Sequence, residues 1–411
     1  MRYAPRTLEI PGNLLLAGEY AITLEGHTGI TFAAGPPVRV YIEQANRFEL
    51  CGRFGTSRGE PEVSPRDGNS RRTAAVDPPH PRGGGRDQGP AAPTGTADAD
   101  PSFPRSPIFN AALELFADES RFAEIASRAG SNAPAKATTR RPAFDTARKA
   151  TTGSGASDTA RKAPARRGAY DADDRFTDDR LPPVSITVDS ASLYTPEGRK
   201  LGFGSSAAAT VGTVAALLAA IDIDPVEERR FTALLATVAH RDSQGGAGSG
   251  YDVATSCYGG VGLFTGGEWP TYRRLDPTWL PRLGVRSGEF AESTSGAIRR
   301  FRAALGDDSV NIEALLSESD RAVGLFADAR NWNEGRSALE HARHVGVELG
   351  KAIGVPAGVF PEDVYGDHPG PCGDRFMKAL GAGRETIGLL PYLSDCGDTD
   401  VPCDMEGLRW A

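Results

Sequence analysis

Apolar and polar positions alternate along the first fifty residues. YAPRTLEIPGNLLLAGEYAI, followed by GITFAAGPPVRVYIE, predicts antiparallel strands, with Val38, Val40 and Ile42 in one alternating patch. Within it LLLA reads as a short buried strand after a Pro11-Gly12 turn. Pro183–Ser190 predicts another strand. The period then lengthens. Ala207–Ile221 and Pro225–His240 read as helices, the second with Glu227 and Glu228 in its first turn, where acids suit the positive helix end. Further helices are expected near Ser293–Leu305, Ile312–Asn331 and Asn333–Lys351, which makes the class α+β.

The region from Cys51 to Arg180 breaks this pattern. It is rich in Pro, Gly, Ala, Arg, Asp, Ser and Thr and poor in large apolar residues, too poor to offset the entropy of folding. Disordered stretches are expected at about 52–103 and 130–180, the second with TARKA repeated at Thr146 and Thr159. Its basic clusters suit an acidic partner, but the interleaved acids favour a solvated spacer, and the insertion is expected to be dispensable for chemistry. Between the stretches, SPIFNAALELFADESRFAEIA predicts one amphipathic helix starting at Ser106-Pro107. Phe109, Ala112, Leu113, Leu115, Phe116 and Phe122 form its apolar side.

Composition narrows the function classes. The 411 residues allow two domains and a substantial core. The formal charge of -8 argues against a nucleic-acid surface over the whole molecule. No run of apolar residues is long enough for a membrane span, and MRYAPRTLEIPG lacks the apolar core of a signal peptide. The five cysteines are spread out without a CxxC pair, against metal chelation. Cys396 and Cys403 are a conceivable pair, but reduced thiols in a cytoplasmic protein are the simpler expectation.

Three segments carry candidate chemistry. In LGFGSSAAATVGTVAALL, Gly202 and Gly204 allow a tight bend just before Ser205 and Ser206 open a helix. Unpaired N–H groups at such a helix start bind anions, and the hydroxyls add donors or an oxygen ligand for magnesium. This points to a phosphorylated ligand, a nucleotide first. The same turn also suits plain close packing. The second segment is HRDSQGGAGSGYDVATSCYGGVGLF, a glycine-rich loop ending at Asp252. Asp252 is either a helix cap or a general base for a substrate hydroxyl. The third, PGNLLLAGEYAIT, suggests no activity by itself.

Together the three resemble the GHMP small-molecule kinase superfamily. PGNLLLAGEYAI is similar to its first motif and KLGFGSSAAATVG to its phosphate-binding loop. AHRDSQGGAGSGYDVATSCYGG is nearest to the phosphomevalonate kinase pattern. KALGAGRETIGL, from Lys378, stands for the third motif, departing from it at Arg384, Glu385 and Thr386. The resemblance implies an N-terminal nucleotide-binding domain (1–268), a C-terminal ferredoxin-like α/β domain (269–411) and an active site in the cleft between them. It implies ATP and Mg2+ as cofactors, with Gly202, Gly204, Ser205, Ser206, Ala207 and Ala208 at the nucleotide and Ser206 on the metal. Asp252 and Asn13 take the catalytic positions. Glu19, Tyr20, His240, Gly248, Ser249, Gly250, Lys378, Gly381 and Gly383 face the substrate. For His240 a plain helix-terminal role stays open.

The implied reaction is phosphorylation of 5-phosphomevalonate to 5-diphosphomevalonate for isoprenoid synthesis. A mevalonate or sugar kinase, and a nucleotide-binding member with reduced catalysis, are the alternatives. The last arises because Asn13 stands where the subfamily has a lysine that assists phosphoryl transfer. Arg241, Lys200 and Lys378 are the candidate replacement cations. The expected partner is a small phosphorylated or hydroxylated molecule, with no nucleic acid and no membrane and with a homodimer left open.

Overall fold

The computed structural model describes residues 5–46, 48–52, 55–58, 106–131, 182–246, 248–288, 294–306, 311–359, 364, 370–381 and 386–411. Strands β1 (Arg6–Ala17) and β2 (Thr28–Gln44) pair antiparallel, with Leu8 opposite Val40 and Ile10 opposite Val38. β2 also pairs with β5 (Val184–Asp189), which continues through β3 (Glu49–Gly52) to β4 (Gly55–Arg58). At its other end β2 pairs with β6 (Val261–Thr265), and β6 with β7 (Thr271–Leu275). Thus residues 55–58 pair as a strand, although they were expected within the first disordered stretch. The rest of 53–103 and the stretch 132–180 lie outside the described residues.

One face of this sheet is closed by α3 (Ser205–Ala220). Fifteen of its sixteen residues are buried, so the helix is apolar all round and central. Gly212 brings it within van der Waals reach of Val40 and Ile10, where a Cβ would collide with the Val40 side chain. Outside α3 lie α4 (Arg229–Ser243) and α5 (Tyr251–Tyr258). Helix α4 starts four residues later than the periodicity suggested. Pro225–Glu228 form a turn anchored on the Asp224 carboxylate, so Glu227 and Glu228 precede the helix.

The apolar segment after Ser106 is two helices, α1 (Pro107–Ala117) and α2 (Glu119–Ala129). Asp118 breaks it, because its carboxylate accepts from the N–H groups of Ser120 and Arg121 and caps α2. The hairpin belongs to the main core. Phe109 is fully buried, and Phe122 packs edge-on against Phe231 of α4 at 5.1 Å.

A second, antiparallel sheet holds β8 (Leu283–Ser287), β9 (Phe376–Leu380), β10 (Thr386–Leu390) and β11 (Thr399–Val401) in the order β11-β8-β10-β9. Between β8 and β9 run α6 (Thr294–Ala304), α7 (Ile312–Asp328) and α8 (Trp332–Ile353), close to the three expected helices. The last strand, β12 (Arg409–Trp410), returns to the first sheet and pairs with β1, Leu8 opposite Trp410. Arg409 bonds Glu9, Arg6 stacks on Trp410 at 3.4 Å, and Arg229 donates to the carbonyls of Glu406 and Leu408.

The expectation of reduced cysteines is corrected for one pair. Cys372 and Cys396 form a disulfide with Cα atoms 5.9 Å apart, while Cys403, the conceivable partner of Cys396, is a free thiol. Distance along the chain hid this, since the β9–β10 hairpin folds the two cysteines together. No helix among the described residues is long and apolar enough to cross a membrane.

Candidate active site

The three segments meet at one open cleft of about 230 Å³, which Ile298, Leu380, Gly381 and Thr386 also line. Its geometry begins at a bulge in β1 between Ile10 and Gly12. The irregularity turns the Asn13 N–H away from the β2 ladder to donate to Phe203 O at 3.0 Å, pinning the phosphate-type turn to the sheet. Gly204, at φ 63, is the N-cap of α3, and any side chain there would collide with the Asn13 amide. Gly202, Gly204, Ser205 and Ser206 line the cleft. Ala207 and Ala208 do not. Both are fully buried, and the Ala208 N–H is committed to Gly204 O inside the helix.

The glycine loop has its own frame. The guanidinium of Arg241 donates to four carbonyls, those of Gly248, Ser249, Gly267 and Glu268, at 2.6–3.0 Å. Burial holds its pKa below the usual arginine value, against the pull of Asp252 and nearby glutamates. Gly250, at φ 86, caps α5, and a Cβ there would strike Thr237. Asp252 therefore sits in the first turn of α5, not at its cap. Among the described residues its Oδ1 accepts the neighbouring Val253 N–H alone, and the part-exposed carboxylate lines the cleft. The helix-cap alternative is thereby removed. Burial and the Asp252 charge together push the neighbouring Tyr251 phenol well above its ordinary range.

The three candidate cations now separate. Arg241 is committed to the loop carbonyls. Lys378 donates to Glu19 and to Ala379 O (3.0 Å), and both members of the Lys378–Glu19 pair are buried. Burial raises the Glu19 carboxyl above its ordinary value, and Lys378 offsets this in part. Lys200 is exposed, lines the cleft beside Gly202 and has no ion-pair partner among the described residues. Asn13 is buried and neutral, its amide donating to Ser256 Oγ at 3.0 Å.

His240 is turned inward and buried. Its Nε2 lies 3.0 Å from both Ser206 Oγ and Gln244 Nε2, and its Nδ1 faces Asp252 Oδ2 at 3.6 Å. A role confined to the helix terminus does not account for these contacts. Tyr20, at φ 62, stacks near Phe301 at 5.5 Å and borders the cleft with Glu19. Gly248 and Ser249 line it as well. Gly381 and Lys378 belong to the β9–β10 hairpin, and Gly383 lies outside the described residues. Sequence reasoning missed Gln244, Ser256 and Thr386. The first is legible as the residue one helical turn after His240; the other two meet the site only through tertiary contact.

Ser206 Oγ and the Asp252 carboxylate are hard oxygen donors opening on the same cleft, and they suit a magnesium ion brought in with phosphates. Among the described residues no group of three or more His, Cys, Asp or Glu side chains could hold a metal ion.

Comparison with known proteins agrees with this geometry. Residues 166–260 match the family model for the GHMP kinases N terminal domain. A phosphomevalonate kinase of Streptomyces sp. (strain CL190) is 34% identical over 173 residues, 40% of this chain and 41% of that protein, so the match spans well under two thirds of the relative. Among solved structures, the Lin0012 protein of Listeria innocua superposes with a TM-score of 0.63 at 18% identity, covering 99% of both chains. Streptococcus pneumoniae phosphomevalonate kinase, in complex with phosphomevalonate and AMPPNP, gives a TM-score of 0.56 at 14% identity, covering 98% of this chain and 100% of that one. The α+β arrangement of two sheets is the fold of these proteins. Residues 166–260 thus match the GHMP kinases N terminal domain, and part of the chain is similar to phosphomevalonate kinases.

Proposed function

We propose that the chain is an ATP-dependent phosphotransferase acting on 5-phosphomevalonate. The observation that carries this reading is the facing of two elements across one cleft. On one wall is the glycine-flanked start of α3, with its N–H groups and Ser206; on the other is the Asp252 carboxylate on α5. The first suits nucleotide phosphates. The second suits an acceptor oxygen. In the reaction an acceptor phosphate oxygen bonds to the γ-phosphorus of ATP as the bridge to the β-phosphate breaks, releasing ADP. The acceptor is already ionised at neutral pH, so Asp252 chiefly orients it. Ser206 and Asp252, with the phosphates, would hold magnesium, which would supply charge neutralisation.

Two anionic reactants also require a protein cation, and Asn13 carries no charge. Lys200, uncommitted at the mouth of the phosphate turn, is suited to that part. The neutral Asn13 also favours a second reading, a nucleotide-binding protein with little turnover. The test is ADP release from ATP and magnesium with phosphomevalonate, mevalonate and a sugar panel in parallel. Turnover with phosphomevalonate is expected. Turnover confined to mevalonate or a sugar overturns the acceptor, and nucleotide binding without turnover on any acceptor selects the second reading.

A further inference from the structure

His240 stands between the two walls of the cleft, and its contacts fit one pattern of protons. Nδ1 lies 3.6 Å from a carboxylate oxygen of Asp252, an ion-pair approach too long for a hydrogen bond. Nε2 faces the amide nitrogen of Gln244, which can only donate, and is therefore the accepting nitrogen. With Nε2 an acceptor, Ser206 must donate its hydroxyl hydrogen to the ring across 3.0 Å. Among the described residues no other side chain bonds Ser206 Oγ, and Ser206 lines the cleft.

Resting on the kinase reading, we infer that His240 is a positioning residue that holds Ser206 as a pure oxygen ligand for the nucleotide-bound magnesium. Its Nδ1 stands beside Asp252 on the acceptor side at the same time. The ring links the wall that carries Ser206 to the wall that carries Asp252. Without it, the Ser206 hydroxyl rotates freely and can present its hydrogen, not a lone pair, to the cation.

The test is calorimetric binding of ADP to the full chain, with and without magnesium, so that turnover is not needed. In wild type, magnesium is expected to tighten ADP binding. His240→Phe should lower that magnesium-dependent gain about 10–100-fold, the usual effect of removing a group that orients a metal ligand. Metal-free ADP affinity should stay within about twofold of wild type. His240→Gln, which keeps an acceptor within reach of Ser206, should restore most of the gain. Ser206→Ala should lose the same gain, and adding His240→Phe to it should cost nothing further; this cycle also serves if the Phe variant folds poorly. An undiminished gain in His240→Phe, or equal losses with and without metal, overturns the inference while leaving the kinase reading standing. Absence of ADP binding by the wild-type chain overturns both.

Discussion

Replacing Lys378 with Met should make the stability of this protein depend on pH in a direction set by Glu19. The two side chains are a buried pair joining the turn after β1 to β9 of the other sheet. Burial already raises the Glu19 carboxyl, and Lys378 is what restrains it. Removing one partner of a buried pair costs about 3–5 kcal/mol when the other stays charged. Glu19 can limit that cost by taking a proton. Its folded pKa then stands well above the unfolded value, so the folded form holds the proton more tightly. Stability is greatest below the ordinary carboxylate range and falls as pH rises toward the raised pKa. The slope for one proton is about 1.4 kcal/mol per pH unit, or about 3 kcal/mol between pH 5 and 7. Urea denaturation at pH 5, 6 and 7 of wild type, Glu19→Gln, Lys378→Met and the double variant would measure it. Lys378→Met should lose ground steadily to wild type as pH rises, and the double variant should be flat and milder than the sum of the singles. A Lys378→Met penalty equal at pH 5 and 7, or an additive double variant, would refute the reasoning.

Three further outcomes are expected. Lys200→Met should lower kcat for the phosphomevalonate reaction about 10²–10³-fold, as for loss of a group that stabilises developing charge, with Tm unchanged; near-normal turnover would return the cation question to the other candidates. Asp252→Asn should lower turnover at least about 10²-fold with the fold intact by circular dichroism, and retention of rate would remove Asp252 from the site. Phe122→Ala should cost about 3–5 kcal/mol in denaturant unfolding, because its ring fills the contact between α2 and α4; a loss under 1 kcal/mol would mean that the hairpin is not part of the core.

The part of the site legible in the sequence was the part written as local backbone chemistry. Gly204 and Gly250 adopt left-handed φ at helix starts, and that requirement is visible as glycine beside serine or aspartate. The long helices were legible through their period. What was hidden depends on who meets whom. Arg241 reads as a free cation until four loop carbonyls surround it, and Lys378 until the other sheet presents Glu19. The Asp118 break was masked because the apolar spacing continues across it, while a side chain satisfies the backbone locally. His240 carried a periodic reading as a helix end. Its inward contacts came from Ser206, thirty-four residues earlier in the chain.

The pairing of β1 with β12 sets an order of events during synthesis. Strand β1 is made about 400 residues ahead of β12, the strand that pairs with its edge near Leu8. At about 5–20 residues per second, that edge waits roughly 20–80 s for its neighbour. Until then an unguarded strand of apolar residues is open to wrong partners. Arg409, Trp410 and the carbonyls held by Arg229 therefore act as a late closure of the nascent sheet. A substitution that disturbs this pairing would be felt first as aggregation of newly made chain, before any change in the cleft.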